Sequence, residues 1–188
     1  NAGTHTVTVS LKDTANYEWT DGTTDALEYD FVIGKADNSW TSGPTATGWI
    51  YGNAGVAATA TAKFGTVKVE YKLSTAADTA YSETLPSAAG TYTARFTVTE
   101  TTDYEGLSET ANFIVAKKDV TEPTIESKVY SGSNQVATVA QSGLYTVTTN
   151  AGGTNAGDYD VVLTLTDSNN YKWSTTSEAA VTLTFTII

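Results

Sequence analysis

Asn155-Ala156-Gly157-Asp158-Tyr159-Asp160-Val161-Val162-Leu163 repeats a segment already met twice along the chain. The first copy is Asn1-Ala2-Gly3-Thr4-His5-Thr6-Val7-Thr8-Val9, and the second is Ala88-Ala89-Gly90-Thr91-Tyr92-Thr93-Ala94-Arg95-Phe96. An aromatic turn follows each: Asn16-Tyr17-Glu18-Trp19, Asp103-Tyr104-Glu105-Gly106 and Asn170-Tyr171-Lys172-Trp173. A second apolar run follows each turn. Within the segments apolar residues alternate with polar ones. His5, Val7, Val9 and Leu11 share a face, as do Tyr92, Ala94, Phe96 and Val98, and Tyr159, Val161, Leu163 and Leu165. The returning runs Leu27, Tyr29, Phe31, Ile33 and Val181, Leu183, Phe185, Ile187 do the same. Period two with one greasy side is the mark of antiparallel strands that bury one face. No window carries a helical period. The fold class is therefore all-β, and the repetition makes it an array of small modules.

The Gly-x-Tyr spacing has a physical meaning. Gly relieves a tight corner, and the Tyr two residues on starts a strand, buries its ring and returns its hydroxyl to nearby backbone. That is the tyrosine corner before the penultimate strand of an immunoglobulin-like sandwich. Gly3, Gly90 and Gly157 fill the Gly position, and His5, Tyr92 and Tyr159 the aromatic one, His5 standing where a Tyr is expected. A plain hairpin after a Gly turn is the alternative. Each copy then supplies the last two strands, F and G, of a module. The earlier strands fall near 40–51, 57–63, 66–73 and 81–85 for the middle module, and near 124–130, 135–140 and 144–149 for the last. Polar connections at 34–39 and 116–123 mark the boundaries, and their shortness limits bending. The expected division is 1–36, an F–G hairpin without its first half; 37–118, a complete module; and 119–188, another. A β-grasp arrangement is the fold alternative, but it needs a helix across the sheet.

Composition narrows the function classes. Net charge is −11, with 10 Lys and Arg against 21 Asp and Glu, so phosphate binding lacks its basic cluster and no nucleic-acid partner is expected. Cys and Met are both absent, which rules out disulfides and thiol chemistry. No apolar run reaches the length of a membrane span, so no membrane insertion is expected. The sequence opens on Asn1 and carries no signal peptide, and it is expected to be a fragment of something larger.

With these segments in place, the chain resembles the MBG-type repeats of bacterial surface proteins, including the YDG and YGX subtypes. The middle module carries Trp49-Ile50-Tyr51-Gly52, the run from Ala60 to Val67, Ala89-Gly90-Thr91-Tyr92 and Tyr104-Glu105-Gly106. The last carries Lys128-Val129-Tyr130-Ser131-Gly132, Asn155 to Tyr159 and Tyr171-Lys172-Trp173. Residues 1–36 match only the tail of that pattern. The resemblance implies a structural spacer or adhesin-like stalk on the outside of a bacterial cell. It implies no catalytic residues, no cofactor and no defined ligand.

Candidates for chemistry are few. His5 is the only histidine and lies on an inward strand face, so neither a triad nor a histidine–cysteine zinc site can be assembled. Asp21 with Asp25, and Asp158 with Asp160, could hold calcium weakly, yet neither pair matches a dense calcium loop. Tyr17, Trp19, Tyr171 and Trp173 recur at matching turn positions. They either stack on sugar rings or cap the core. Asn112 with Lys63, Lys68 or Lys72 would be the partners of an isopeptide crosslink. The chain is thus not expected to be an enzyme. Its expected partners are neighbouring modules, with a glycan or host surface protein as the alternative. A third possibility is self-association through residues 1–36, because a lone hairpin is marginal in water.

Overall fold

The computed structural model describes residues 1–188 and is all-β. Its strands are β1 (Gly3–Val9), β2 (Leu27–Ile33), β3 (Trp40–Thr45), β4 (Trp49–Ile50), β5 (Thr59–Ala62), β6 (Lys68–Leu73) and β7 (Gly90–Val98). They continue with β8 (Leu107–Ala116), β9 (Lys118–Val120), β10 (Tyr145–Thr149), β11 (Gly157–Leu165), β12 (Tyr171–Trp173) and β13 (Ala180–Ile187). The single helical element is a 3₁₀ turn at Asp78–Ala80, so the β-grasp alternative lacks its helix. No helix is long and apolar enough to cross a membrane. The chain falls into two compact units, one formed by 1–45, 58–70 and 95–111, the other by 46–57, 71–94 and 112–188.

In the first unit β1 and β2 form an antiparallel ribbon, Gly3 opposite Ile33 and Val9 opposite Leu27. This is the register that the alternating pattern requires. β3 pairs with β5 through two register shifts. Phe64 stacks on Tyr104 at 5.7 Å, and Asn38 ties the neighbourhood together by donating to the Phe64 and Glu105 carbonyls, both at 3.1 Å.

In the second unit two cores form. Phe113 gathers Trp49, Tyr92 and Tyr71 at ring separations of 5.5, 5.7 and 6.0 Å. The other core is built on β11 and β13, with β10 beside β11. Val161, Leu163, Phe185, Ile187 and Trp173 are fully buried there, together with Val120, Ala137 and Tyr145 from the preceding segment. A further sheet has the order β4-β8-β7-β6, and β6, β7 and β8 each give residues to both units. On β7 the alternation is complete: Tyr92, Ala94, Phe96 and Val98 are buried and the residues between them are not.

Three details differ from the sequence expectation. The strand expected over 40–51 is two strands, because Gly48 lets the backbone press onto β8: a Cβ there would lie 2.2 Å from the Ile114 carbonyl oxygen. From that contact β4 runs parallel to β8, Trp49 opposite Val115. The strands expected at 81–85, 124–130 and 135–140 reduce to isolated bridges, Ser82 to Tyr71, Lys128 to Ile187 and Gln135 to Gly153. Finally, the polar connection at 116–123 contains regular structure. Lys118–Val120 is a strand, paired in parallel with Tyr171–Trp173, where the sequence pattern predicts a turn.

Candidate functional site

The three corners are one device. The Tyr92 hydroxyl donates to the Ala88 carbonyl at 3.0 Å and the Tyr159 hydroxyl to the Asn155 carbonyl at 2.8 Å. His5 makes the same bond four residues back, Nε2–H to the Asn1 carbonyl at 2.9 Å. Each ring also meets a Phe of the returning strand: His5 with Phe31 at 5.5 Å, Tyr92 with Phe113 at 5.7 Å, Tyr159 with Phe185 at 6.4 Å. Gly3 and Gly157 have φ of 139° and 148°, which an L side chain rarely adopts. Gly90 turns the corner without a positive φ.

The aromatic turns at 103–106 and 170–173 carry a second device, which ties a Gly corner and a lead-in segment to each turn. In the first unit the Asp103 carboxylate accepts the Ala2 N–H at 2.7 Å, while its own carbonyl accepts the Ala36 N–H at 2.8 Å. In the second unit the Asn170 side-chain oxygen accepts the Ala89 N–H at 2.8 Å, and its carbonyl accepts the Lys118 N–H at 3.0 Å. Ala2 and Ala89 are the same corner position, and Ala36 and Lys118 the same lead-in position. One residue therefore grips both a Gly corner and the lead-in chain. Asn170 is aimed by its amide, whose Nδ2 donates to Asp167 at 2.8 Å. That bond and the backbone N–H groups of Asn170 and Asn169 hold the Asp167 carboxyl below its ordinary pKa. A lysine accompanies each joint. Lys35 pairs with Glu100, and Lys117 donates to the Ser168 carbonyl at 2.6 Å. In the second joint Tyr51 also meets Tyr171 edge-on at 5.3 Å.

The aromatics proposed for sugar stacking separate. Trp173 is wholly buried against Tyr145, with its Nε1–H on the Ala179 carbonyl, so it has no face to offer a ring. Tyr171 is engaged by Tyr51. Trp19 is half-buried and repeats the Trp173 bond, Nε1–H to the Asp25 carbonyl at 2.6 Å. Tyr17 alone stands clear, at 67 % exposure. A platform of paired rings is not formed, because three of the four are used in packing.

The remaining candidates are dispersed. Asp21 accepts the Thr23 N–H and hydroxyl, an arrangement that lowers its carboxyl pKa, and Asp158 accepts the Thr186 hydroxyl at 2.6 Å. No three His, Cys, Asp or Glu residues cluster as a metal site would need. Asn112 is exposed and takes the Thr93 hydroxyl at 2.8 Å, while Lys68 is paired with Glu70 and Lys72 with Asp78, both at 2.9 Å. Lys63 lies over the Phe64 ring at 5.0 Å.

The joint residues escaped the sequence reading, although the signal was present: Asn16, Asp103 and Asn170 place an Asn or Asp before each turn tyrosine. One surface feature of the first unit is a shallow, open depression of about 750 Å³. Val32, Ile33, Gly34 and Lys35 line one side, and Glu100 to Thr102 the other. No family model matches the sequence, and no curated protein matches it.

Proposed function

We propose that the chain is a run of structural repeats, immunoglobulin-like in plan, that serves as a spacer in a bacterial cell-surface stalk. The observation that carries this reading is the joint made twice. The grip of Asp103 on Ala2 and Ala36 recurs as the grip of Asn170 on Ala89 and Lys118. A joint that recurs with the repeat is what a semi-rigid array needs, because each added repeat then meets the last in the same way. A binding module needs no such recurrence. The proposed repeats are 1–36, 37–118 and 119–188, the first of them the second half of a repeat. The MBG-type resemblance supports the same assignment, as does the dispersal of the aromatics that a glycan platform would have gathered.

The test is backbone ¹⁵N relaxation on the full chain. Amides of β1–β2 and of β7–β8 should share one correlation time, and Asp103→Ala should separate them. Asn170→Ala should do the same for β7–β8 and β11–β13. Independent tumbling in the unmutated chain would overturn the spacer reading. Specific retention on a glycan array, lost in Tyr17→Ala, would replace it with the binding one.

A further inference from the structure

We infer that the turn from Asp13 to Trp19 is the receiving half of a third joint, and that its occupant is the Gly corner and lysine-led lead-in of a further repeat. This names the partner of the first repeat, and it rests on the proposed reading of the chain as repeats.

The first turn is built as the last one is. The Asp13 carboxylate accepts the Ala15 and Asn16 N–H groups at 3.1 and 3.2 Å and the Asn16 Nδ2 at 2.8 Å. Asp167 accepts the Asn169 and Asn170 N–H groups and the Asn170 Nδ2 at the same three distances. The Tyr17 and Tyr171 N–H groups close the two turns on the Asp13 and Asp167 carbonyls, both at 3.1 Å. Trp19 and Trp173 each return Nε1–H to a carbonyl six residues on. With its amide nitrogen fixed on Asp13, the Asn16 side-chain oxygen is turned as that of Asn170 is.

The two joined turns show what such an oxygen receives. Asn170 takes the Ala89 N–H on its side chain and the Lys118 N–H on its carbonyl, and Asp103 takes those of Ala2 and Ala36 in the same way. A lysine precedes each lead-in residue and reaches the start of the turn. Lys35 pairs with Glu100, and Lys117 donates to the Ser168 carbonyl at 2.6 Å. After the Asn170 amide and the turn N–H groups, the Lys117 charge also helps to hold the Asp167 carboxyl below its ordinary pKa. Glu100 and Asp167 stand three residues before the gripping residue, and Asp13 stands there in the first turn. Asn16 itself is exposed and takes no N–H from within the chain on either oxygen. A hollow of about 240 Å³ opens there, lined by Thr14 to Glu18 and by Thr24. The turn tyrosines differ in the same sense. Tyr104 stacks on Phe64 and Tyr171 meets Tyr51, whereas Tyr17 is 67 % exposed.

Three contacts define the occupant: a corner N–H, a lead-in N–H and a lysine. A second copy of this chain offers one corner that no aromatic turn holds, Ala156-Gly157. Ile188 matches Ala116, because the Tyr130 N–H bonds the Ile188 carbonyl at 2.7 Å as the Tyr51 N–H bonds that of Ala116 at 2.8 Å. The counterparts of Lys117 and Lys118 therefore fall one and two residues past Ile188. A second copy of these 188 residues brings the corner alone, and two such chains at −11 each repel. A corner followed by its lysine-led chain makes all three contacts and sets a base against Asp13. The residue after the tyrosine makes no selection: Asp119 meets Lys172, while the register sets Asp37 beside Glu105.

The experiment joins two full chains in tandem. The first carries Lys-Lys-Asp-Val after Ile188, the sequence of residues 117–120, and a flexible linker leads from there to the second. About 20 glycines and serines reach about 25 Å, roughly the length of β1, and keep the two partners near millimolar effective concentration. In ¹⁵N spectra residues 13–17 and Ala156 should each give two sets of amide signals. One set stays at the single-chain positions, and the other is shifted, with slowed exchange at Ala156. Asn16→Ala in the second copy should remove the shifted Ala156 signal. A tail with glutamates for its lysines leaves every residue of both chains unchanged, and should cut the shifted set roughly three-fold, as loss of an exposed charge pair allows. Single-chain signals alone would overturn the assignment. So would a shifted set that survives Asn16→Ala, or one indifferent to the glutamates. Shifts at Asn16 and Ala156 on concentrating the 188-residue chain by itself would make a second copy the occupant and overturn it as well. None of these failures touches the relaxation test, which reads Asp103 and Asn170 within one chain.

Discussion

Phe31 and Phe185 are the same residue in two settings, and truncating each to Ala measures the setting. Phe185 is fully buried between Tyr159 and the Trp173 core, with the Lys128 ammonium 6.0 Å from its ring. Removing a packed Phe side chain forfeits its transfer energy and leaves a cavity, about 3–5 kcal/mol together. That is of the order of the whole stability of a small domain. Phe31 keeps 47 % of its surface in water and stacks on His5 from one side. Only about half of a transfer term of 1.5–3 kcal/mol is at stake, and an open face traps no void, so the loss is about 1 kcal/mol. Urea unfolding followed by tryptophan emission reads Phe185→Ala, because Trp173 belongs to the same core. Amide exchange in β1 and β2 reads Phe31→Ala, since a ribbon can open without the rest. Equal losses at the two positions would refute the reasoning. So would a larger loss at Phe31, for then the ribbon face would be covered in solution.

The corner bonds are each worth about 1 kcal/mol, the usual net value of an intramolecular hydrogen bond. Tyr159→Phe and Tyr92→Phe should therefore cost that much in calorimetry, and His5→Tyr should cost nothing, because a Tyr hydroxyl can take over the bond to Asn1. A Tyr159→Phe change below a few tenths of a kcal/mol would show that the ring alone sets the corner. Glu122 gives a pH prediction. Partial desolvation works to raise its carboxyl, but the Thr175 and Ser174 hydroxyls and the Thr175 N–H outweigh it and hold the pKa at about 2, against an ordinary 4.5. A depressed folded pKa contributes stability that is complete above the unfolded value and is lost as pH falls toward the folded one. The melting temperature of the unmutated chain should exceed that of Glu122→Gln at pH 7, and the gap should close between about pH 4.5 and pH 2. A gap independent of pH would mean that Glu122 acts through packing.

The ribbons were legible because period two over seven to nine residues fixes which side chains share a face, and in β11–β13 that face is buried, which pins the register. The corners were legible because their geometry is local: a Gly, a Tyr and a carbonyl four residues back. The lead-in strands were not. Lys118–Val120 has three residues and Ala36 forms a single bridge, too few for any alternation to show. Their strand character comes wholly from the turn backbone that they meet. Trp173 was ambiguous for a related reason. A Trp at a turn caps or stacks according to what packs over it, and Val120 and Tyr145 are remote in sequence.

The joint explains why its position can be filled by Asp103 in one turn and Asn170 in the other. Its two contacts are both acceptances, one by a side-chain oxygen from a corner N–H and one by a backbone carbonyl from the lead-in N–H. Neither requires a charge, so either side chain serves. What differs is how that side chain is aimed. Asn170 is held by its own amide on Asp167, while the Asp103 turn is braced by the Thr101 hydroxyl, which accepts the Asp103 and Tyr104 N–H groups at 3.2 and 3.3 Å. Asn16 repeats the Asn170 solution, its Nδ2 on Asp13 at 2.8 Å. The requirement shared by the turns at Asp103 and Asn170 is thus an oxygen at the end of a two-carbon reach, at the place where the lead-in chain passes a Gly corner. A requirement that small is met by Asp and Asn alike, with the tyrosine that follows kept in each turn.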